Sequence, residues 1–148
     1  MPQFQTNLIL PTKPSEVFDL LTKPESIAQL SPPDRPIELV KGPKQVEAGS
    51  VLFWRGKRWG MAHNMIVEVV EFVPNERILW QQQRGTLKTF RHEQRFTTME
   101  GGMQLEDEIT FAPPGGILGL TVTEKVVLME LTENFRYRDD VLREMFSK

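Results

Sequence analysis

The chain has 148 residues, 39% hydrophobic and 26% charged, enough for one domain spanning 1–148 with a buried core. A formal net charge of -2 argues against a nucleic-acid footprint, and the densest basic cluster, Arg55, Lys57 and Arg58, is too short for a binding stripe. Cysteine is absent, which excludes disulfides and thiol catalysis, and His63 and His92 are the only histidines, so neither a metal site nor another cofactor is expected. No run approaches the ~20 apolar residues of a membrane span, and the first ten residues lack the basic start of a signal peptide. A cytoplasmic location without membrane insertion is the expectation.

In chain order, residues 4–10 alternate Phe4, Thr6, Leu8 and Leu10 against polar neighbours and predict a first strand, ended by Pro11. Ser15 is placed to cap a short helix through Leu21, and Pro24 to open a second one carrying Ile27 and Leu30. Residues 31–36 hold three prolines in six positions and predict a stiff loop. A short strand at 37–40 follows, closed by Lys41-Gly42-Pro43.

Residues 51–111 then read as a strand meander. Strand 51–55 carries Trp54 and leads through a turn at 56–60, with Trp59, into a long strand at 61–73. On that strand Met61, His63, Met65, Val67 and Val69 share a face until Phe72 breaks the parity, which predicts a bulge near Glu71. After a turn at 74–76, Ile78, Trp80 and Gln82 share a face. Gly85-Thr86 leads to a strand at 87–99 with Phe90, His92, Gln94 and Phe96 inward. A hairpin at Gly101-Gly102 returns as a strand with Met103, Leu105, Asp107, Ile109 and Phe111 inward. The turn centres on Glu100-Gly101 or on Gly101-Gly102; the inward faces agree either way.

The last quarter, 121–146, predicts one long helix, with Thr121 and Glu124 at capping-box spacing. Leu128, Leu131, Phe135, Leu142 and Met145 form its apolar stripe, and Asp139 falls on the wet side, four residues from Arg143. Such a helix needs a surface to lie on, and a sheet of consecutive antiparallel strands supplies one. The layout is α+β, with the sheet curled around the helix.

Three polar side chains fall on inward rows: His92, Asp107 and Arg138, joined by Gln94 and Gln82. Buried charges are expensive unless paired. Arg138 and Asp107 are therefore expected to bond directly, or through His92 or one water. Such a network can simply pin the helix to the sheet. It can also furnish the placed polar atoms of a small-molecule pocket whose apolar walls are Trp54, Met65, Trp80, Phe90, Phe96, Phe111, Leu128, Leu131 and Phe135, with His63 on the same row as Met65. No nucleophile elbow, P-loop or dinucleotide fingerprint is present. His92 with Asp107 as an acid–base pair on a carbon acid is the one catalytic arrangement available.

Several motifs in this order resemble the START-like (SRPBCC) superfamily of polyketide cyclase/dehydrase, lipid-transport and Bet v 1-like proteins. They are Pro14-Ser15-Glu16-Val17-Phe18, Leu30-Ser31-Pro32-Pro33, then Pro74, Ile78, Gln82, Gly85, His92 and Phe96. Gly101-Gly102, Asp107, Phe111, Pro114, Gly116, Gly119 and Phe135-Arg136-Tyr137-Arg138 complete the set. The chain departs from that pattern in carrying Trp80 for an acid, Phe90 for Trp, Gln94 for a second His and Thr86 for Pro. The resemblance implies the helix-grip fold: seven antiparallel strands around the C-terminal helix, two short helices after the first strand, and a cavity whose mouth lies near the loop 31–36. It implies a small hydrophobic ligand (lipid, polyketide or isoprenoid-like). The first expectation is binding or transport. The alternatives are a cyclase- or dehydratase-like enzyme using His92 and Asp107, and a structural protein whose cavity is filled by its own side chains. Monomer and homodimer stay open.

Overall fold

A computed structural model describes residues 2–58 and 61–147. Seven strands form one antiparallel sheet in the order β1-β7-β6-β5-β4-β3-β2. They are β1 (Gln3–Leu10), β2 (Ile37–Lys41), β3 (Val51–Arg58), β4 (Met61–Val73), β5 (Arg77–Arg84), β6 (Thr89–Met99) and β7 (Gly102–Ala112). Helices α1 (Pro14–Leu21) and α2 (Pro24–Gln29) carry the chain from one sheet edge to the other. Helix α3 (Glu124–Met145) then lies along the inner face of the sheet, an α+β helix-grip arrangement.

The inward rows follow the period of two. On β7, Met103, Leu105, Asp107, Ile109 and Phe111 are all buried, and the residues between them are half-buried. Met99 pairs with Gly102, so the hairpin turn centres on Glu100-Gly101, and Gly101 takes a φ of 80° there. Gly102 is pinned differently: a Cβ on it would stand 2.1 Å from the Leu10 carbonyl oxygen of β1. The bulge expected on β4 is present as a register shift between Val69 and Glu71, and a second lies between Ile66 and Val67.

Several local readings need correction. Residues 56–58 of the turn expected at 56–60 belong to β3, which continues to Arg58; Trp59 and Gly60 lie outside the described residues. Helix α1 begins at Pro14, with Lys13 as its N-cap and no side-chain cap, so Ser15 sits inside the first turn. Proline at N1 needs no such cap for its own nitrogen, because it has no N–H to satisfy. Helix α3 begins after Thr123, whose hydroxyl accepts from the Val126 N–H at 3.3 Å, rather than after Thr121. Thr121 instead follows a 3-10 turn at Leu118–Leu120. Met145 is largely exposed, whereas Asp139, expected on the wet side, is buried. Arg143 pairs with Asp140 at 3.1 Å, leaving Asp139 to the interior.

The core falls into two apolar clusters. One gathers Phe18, Trp54, Trp80, Phe96, Met103, Leu105 and Leu142; the other gathers Leu87, Ile109, Phe111, Val122, Val127 and Leu131. Between them on each element stands a polar residue: Asp107 between Leu105 and Ile109 on β7, Gln94 and His92 between Phe96 and Phe90 on β6, Arg138 and Asp139 between Leu131 and Leu142 on α3.

Candidate functional site

That polar layer is fully connected. The Arg138 guanidinium donates from Nη2 to Asp107 Oδ2 at 2.6 Å and from Nη1 to Oδ1 at 3.1 Å, a bidentate fork. It also donates to Asp139 Oδ1 from Nε at 3.0 Å and from Nη2 at 2.8 Å. Gln94 Nε2 donates to Asp107 Oδ1 at 3.1 Å, and Gln94 Oε1 accepts from the Trp80 indole at 2.8 Å. His92 Nε2 lies 2.8 Å from the same Asp107 oxygen. Antiparallel register explains the meeting: Gln94 sits directly opposite Asp107, and Trp80 opposite His92.

The electrostatics follow from burial against pairing. Burial alone pushes the Asp107 carboxyl up, but the charge of Arg138 and the hydrogen bonds from His92 and Arg138 outweigh it and hold the group well below the usual carboxylate range. Asp107 is therefore ionised and can only accept, so His92 Nε2 carries the proton of their hydrogen bond. In the neutral ring the lone pair is then on Nδ1. Burial pushes Asp139 up, only partly offset by Arg138. Burial lowers the Arg138 pKa, but Asp107 and Asp139 more than reverse it, so the cation is permanent. Its guanidinium carbon also stands 4.4 Å from the centroid of the Phe135 ring, which packs edge-on against His92 at 5.7 Å.

In front of this layer, between sheet and helix, is a pocket of about 260 Å³. Trp54, Met65, Val67 and Trp80 from the sheet, Phe90 and Phe135 at one end, and Leu21, Ile27, Leu30 and Ile37 from α1, α2 and β2 form its apolar walls. Its polar wall includes His63, His92, Gln94 and Arg138. The loop 31–36 reaches it through Ser31, Pro32 and Arg35, and Arg55 and Arg58 border it from β3.

The structure thus brings Trp54, His63, Met65, Trp80, Phe90, His92, Gln94, Phe135 and Arg138 onto one wall system. Asp107 stands behind it, completely enclosed. Five other residues expected at the pocket lie elsewhere. Phe96 packs against the Phe18 ring at 5.0 Å, Phe111 and Leu131 fill the second apolar cluster, and Leu128 packs against that cluster. Gln82 turns to the backbone and donates to the Leu87 carbonyl at 2.8 Å. His63 Nδ1 is 2.5 Å from Thr86 Oγ1, and burial together with the nearby Arg58 charge lowers its pKa to about 4, so it is neutral near pH 7.

Sequence reasoning found Arg138 but missed Glu130 and Asn134, eight and four residues before it, which line the pocket with it along α3. The spacing was available as a signal, but the neighbouring Leu131, Phe135 and Leu142 stripe claimed the face. Two ion pairs fasten this helix face to the pocket rim: Arg58 with Glu130, and Arg35 with Glu133 at 2.9 Å. Among the described residues, no three His, Asp or Glu side chains gather to hold a metal ion, and no helix is long and apolar enough to cross a membrane.

A seven-stranded antiparallel sheet gripping a C-terminal helix, with two short helices after the first strand, places the chain in the START-like, SRPBCC class. Within it, residues 11–140 match the family model "Activator of Hsp90 ATPase homolog 1-like protein", and the chain belongs to that family. Solved structures agree on the fold. TTHA0849 from Thermus thermophilus is 18% identical with a TM-score of 0.76, the match covering 97% of this chain and 95% of that one. Major latex-like protein 151 from Panax ginseng is 14% identical with a TM-score of 0.66, covering 94% and 95%. The di-domain ARO/CYC StfQ of the steffimycin biosynthetic pathway is 14% identical with a TM-score of 0.73, covering 98% of this chain and 50% of that one. No curated protein matches the sequence.

Proposed function

We propose that this protein binds or carries a small, largely apolar molecule in the pocket between the sheet and α3. The supporting observation is the pocket itself: aromatic and aliphatic walls, with His92, Gln94 and Arg138 on one side already held by hydrogen bonds. Mostly apolar walls with a few fixed polar groups are the usual make-up of a small-molecule site. At about 260 Å³ the space lies just below the ~300–1,000 Å³ common for such sites, which favours a compact polyketide- or isoprenoid-sized molecule over a two-chain lipid.

A second reading, an enzyme of the cyclase or dehydratase type, draws on the His92–Asp107 hydrogen bond beside the pocket. In that role His92 Nδ1 would take a proton from the substrate and Asp107 would steady the resulting imidazolium. Arg138 weakens the arrangement, because its two bonds already neutralise the carboxylate. Binding without chemistry is therefore the reading we favour. Native mass spectrometry of protein purified from its own host tests it: a small molecule retained at one per chain is expected. A retained molecule converted on incubation, with conversion lost in His92→Phe, would move the assignment to the enzyme.

A further inference from the structure

The two most exposed large hydrophobic side chains among the described residues are Ile117 and Leu120, at 86% and 81%, in the loop between β7 and α3. The backbone sets them side by side. The Leu120 N–H donates to the Ile117 carbonyl at 3.0 Å across the 3-10 turn, and side chains three apart on such a turn eclipse one another. Between them Leu118 packs against the second apolar cluster, so the turn is anchored while its outer edge is bare. Sheet register places this loop. Arg58 pairs with Met61, Ile66 with Arg84, Thr89 with Ala112 and Ile37 with Gly56. The β3–β4, β5–β6 and β7–α3 connections therefore share one end of the sheet with the loop 31–36. That end borders the pocket through Ser31, Pro32, Arg35 and Arg58.

The same end is positive in a chain whose formal net charge is -2. Segments 31–38, 55–58, 84–89 and 113–133 carry seven Lys or Arg against five Asp or Glu. Glu38, Glu130 and Glu133 are already paired with Arg55, Arg58 and Arg35. That leaves Asp34 and Glu124 against Lys57, Arg84, Lys88 and Lys125, exposed cations with no carboxylate partner among the described residues. We infer that this end docks on an anionic lipid bilayer, with Ile117 and Leu120 entering the headgroup region and the four cations facing lipid phosphates. A bare aliphatic pair by itself would also suit a protein partner. The cations around it select an anionic surface and repel the same end of a second copy. The contact is peripheral, two side chains deep, and sets the pocket rim against the bilayer. It goes beyond the small-molecule reading, because docking needs no occupied pocket.

Co-sedimentation of the full chain with vesicles tests this, using phosphatidylcholine alone and an equimolar mixture with phosphatidylglycerol. The wild type is expected to partition about tenfold or more in favour of the anionic vesicles, and added salt should weaken that binding. Ile117→Ser with Leu120→Ser should weaken it about tenfold or more at an unchanged melting temperature, because both side chains are exposed. Lys88→Glu with Lys125→Glu should do the same on the anionic vesicles. Ile9→Ser, at an exposed aliphatic on β1 towards the opposite end of the sheet, should leave binding unchanged. No binding to anionic vesicles, equal binding to both kinds, binding that either double variant leaves unchanged, or an equal loss in Ile9→Ser would overturn the proposal. So would a dimer in sedimentation velocity that the double serine variant dissolves, which would give the loop to a second copy of the chain. None of these results bears on whether the pocket retains a small molecule.

Discussion

At the scale of single residues, Arg138 ties α3 to the sheet through Asp107. Its place on the apolar stripe, three after Phe135 and four before Leu142, marks it in the sequence as a cation aimed inward. The only inward carboxylate of the meander, Asp107, is its natural partner, and the structure joins them by two hydrogen bonds. The second carboxylate is legible too but misassigned: Asp139, expected to face outward, stands four after Phe135 and three before Leu142 on the same stripe, and its Oδ1 accepts from the Arg138 guanidinium. Removing one partner of a buried pair strands the other charge, which typically costs about 3–5 kcal/mol. Arg138→Met, which would leave Asp107 and Asp139 buried without their cation, and Asp107→Asn should each destabilise by that order in denaturant titration. The double variant should lose clearly less than the sum of the two. Strict additivity would mean that the pair contributes nothing as a pair.

At the scale of elements, the alternation of apolar and polar residues makes the strands and their inward faces legible, because a period of two leaves little choice once one face is buried. Element ends are less legible. Thr121 and Thr123 both precede Glu124 or Val126 at plausible spacings, and only the 3-10 turn at Leu118–Leu120 decides between them by using up Thr121. The pocket walls divide similarly. Phe90 and Phe96 share one face of β6, yet Phe96 lies over α1 and is sealed by Phe18 whereas Phe90 reaches the pocket; alternation fixes the face and not what covers it. The β6–β7 hairpin shows how closely strands are set. Gly101 needs its positive φ, so Gly101→Ala should cost about 1 kcal/mol. Gly102→Ala forces a methyl onto the Leu10 carbonyl, which is backbone and cannot swing away, and should cost about 1–3 kcal/mol. Thermal melts of the two variants should rank Gly102→Ala as the less stable; the reverse order would show that β1 shifts freely along β7.

At the scale of the whole molecule, two apolar clusters are divided by one polar layer, and the pocket opens beside that division. The layer is foreshadowed by inward polar residues at matching heights on β6, β7 and α3, whereas the rim of Arg35, Arg58, Glu130 and Asn134 depends on where a loop and a strand end come to rest. The buried His63 adds a pH dependence. Its pKa of about 4 in the folded chain lies below the ordinary 6.5, so as pH falls through 6.5 the unfolded chain takes up a proton that the folded one refuses. Stability from this group is complete above pH 6.5, declines on acidification and is lost by about pH 4, a loss of at most about 3 kcal/mol. His63→Gln should flatten that stretch of the stability profile; an unchanged profile would show that His63 takes its proton in the folded state. Asp107 acts at lower pH: its contribution begins to fall as the unfolded chain takes up protons in the usual carboxylate range and goes on falling below that range, down to the depressed pKa of the folded chain. The most direct test of the central claim is a titration of the chain with 8-anilinonaphthalene-1-sulfonate beside Val67→Phe, which builds a ring into the pocket wall. The account predicts one saturable site per chain, quenching of the fluorescence from Trp54 and Trp80, and loss of that site in a folded Val67→Phe variant. Absence of a saturable site, or binding that Val67→Phe leaves untouched, would contradict it.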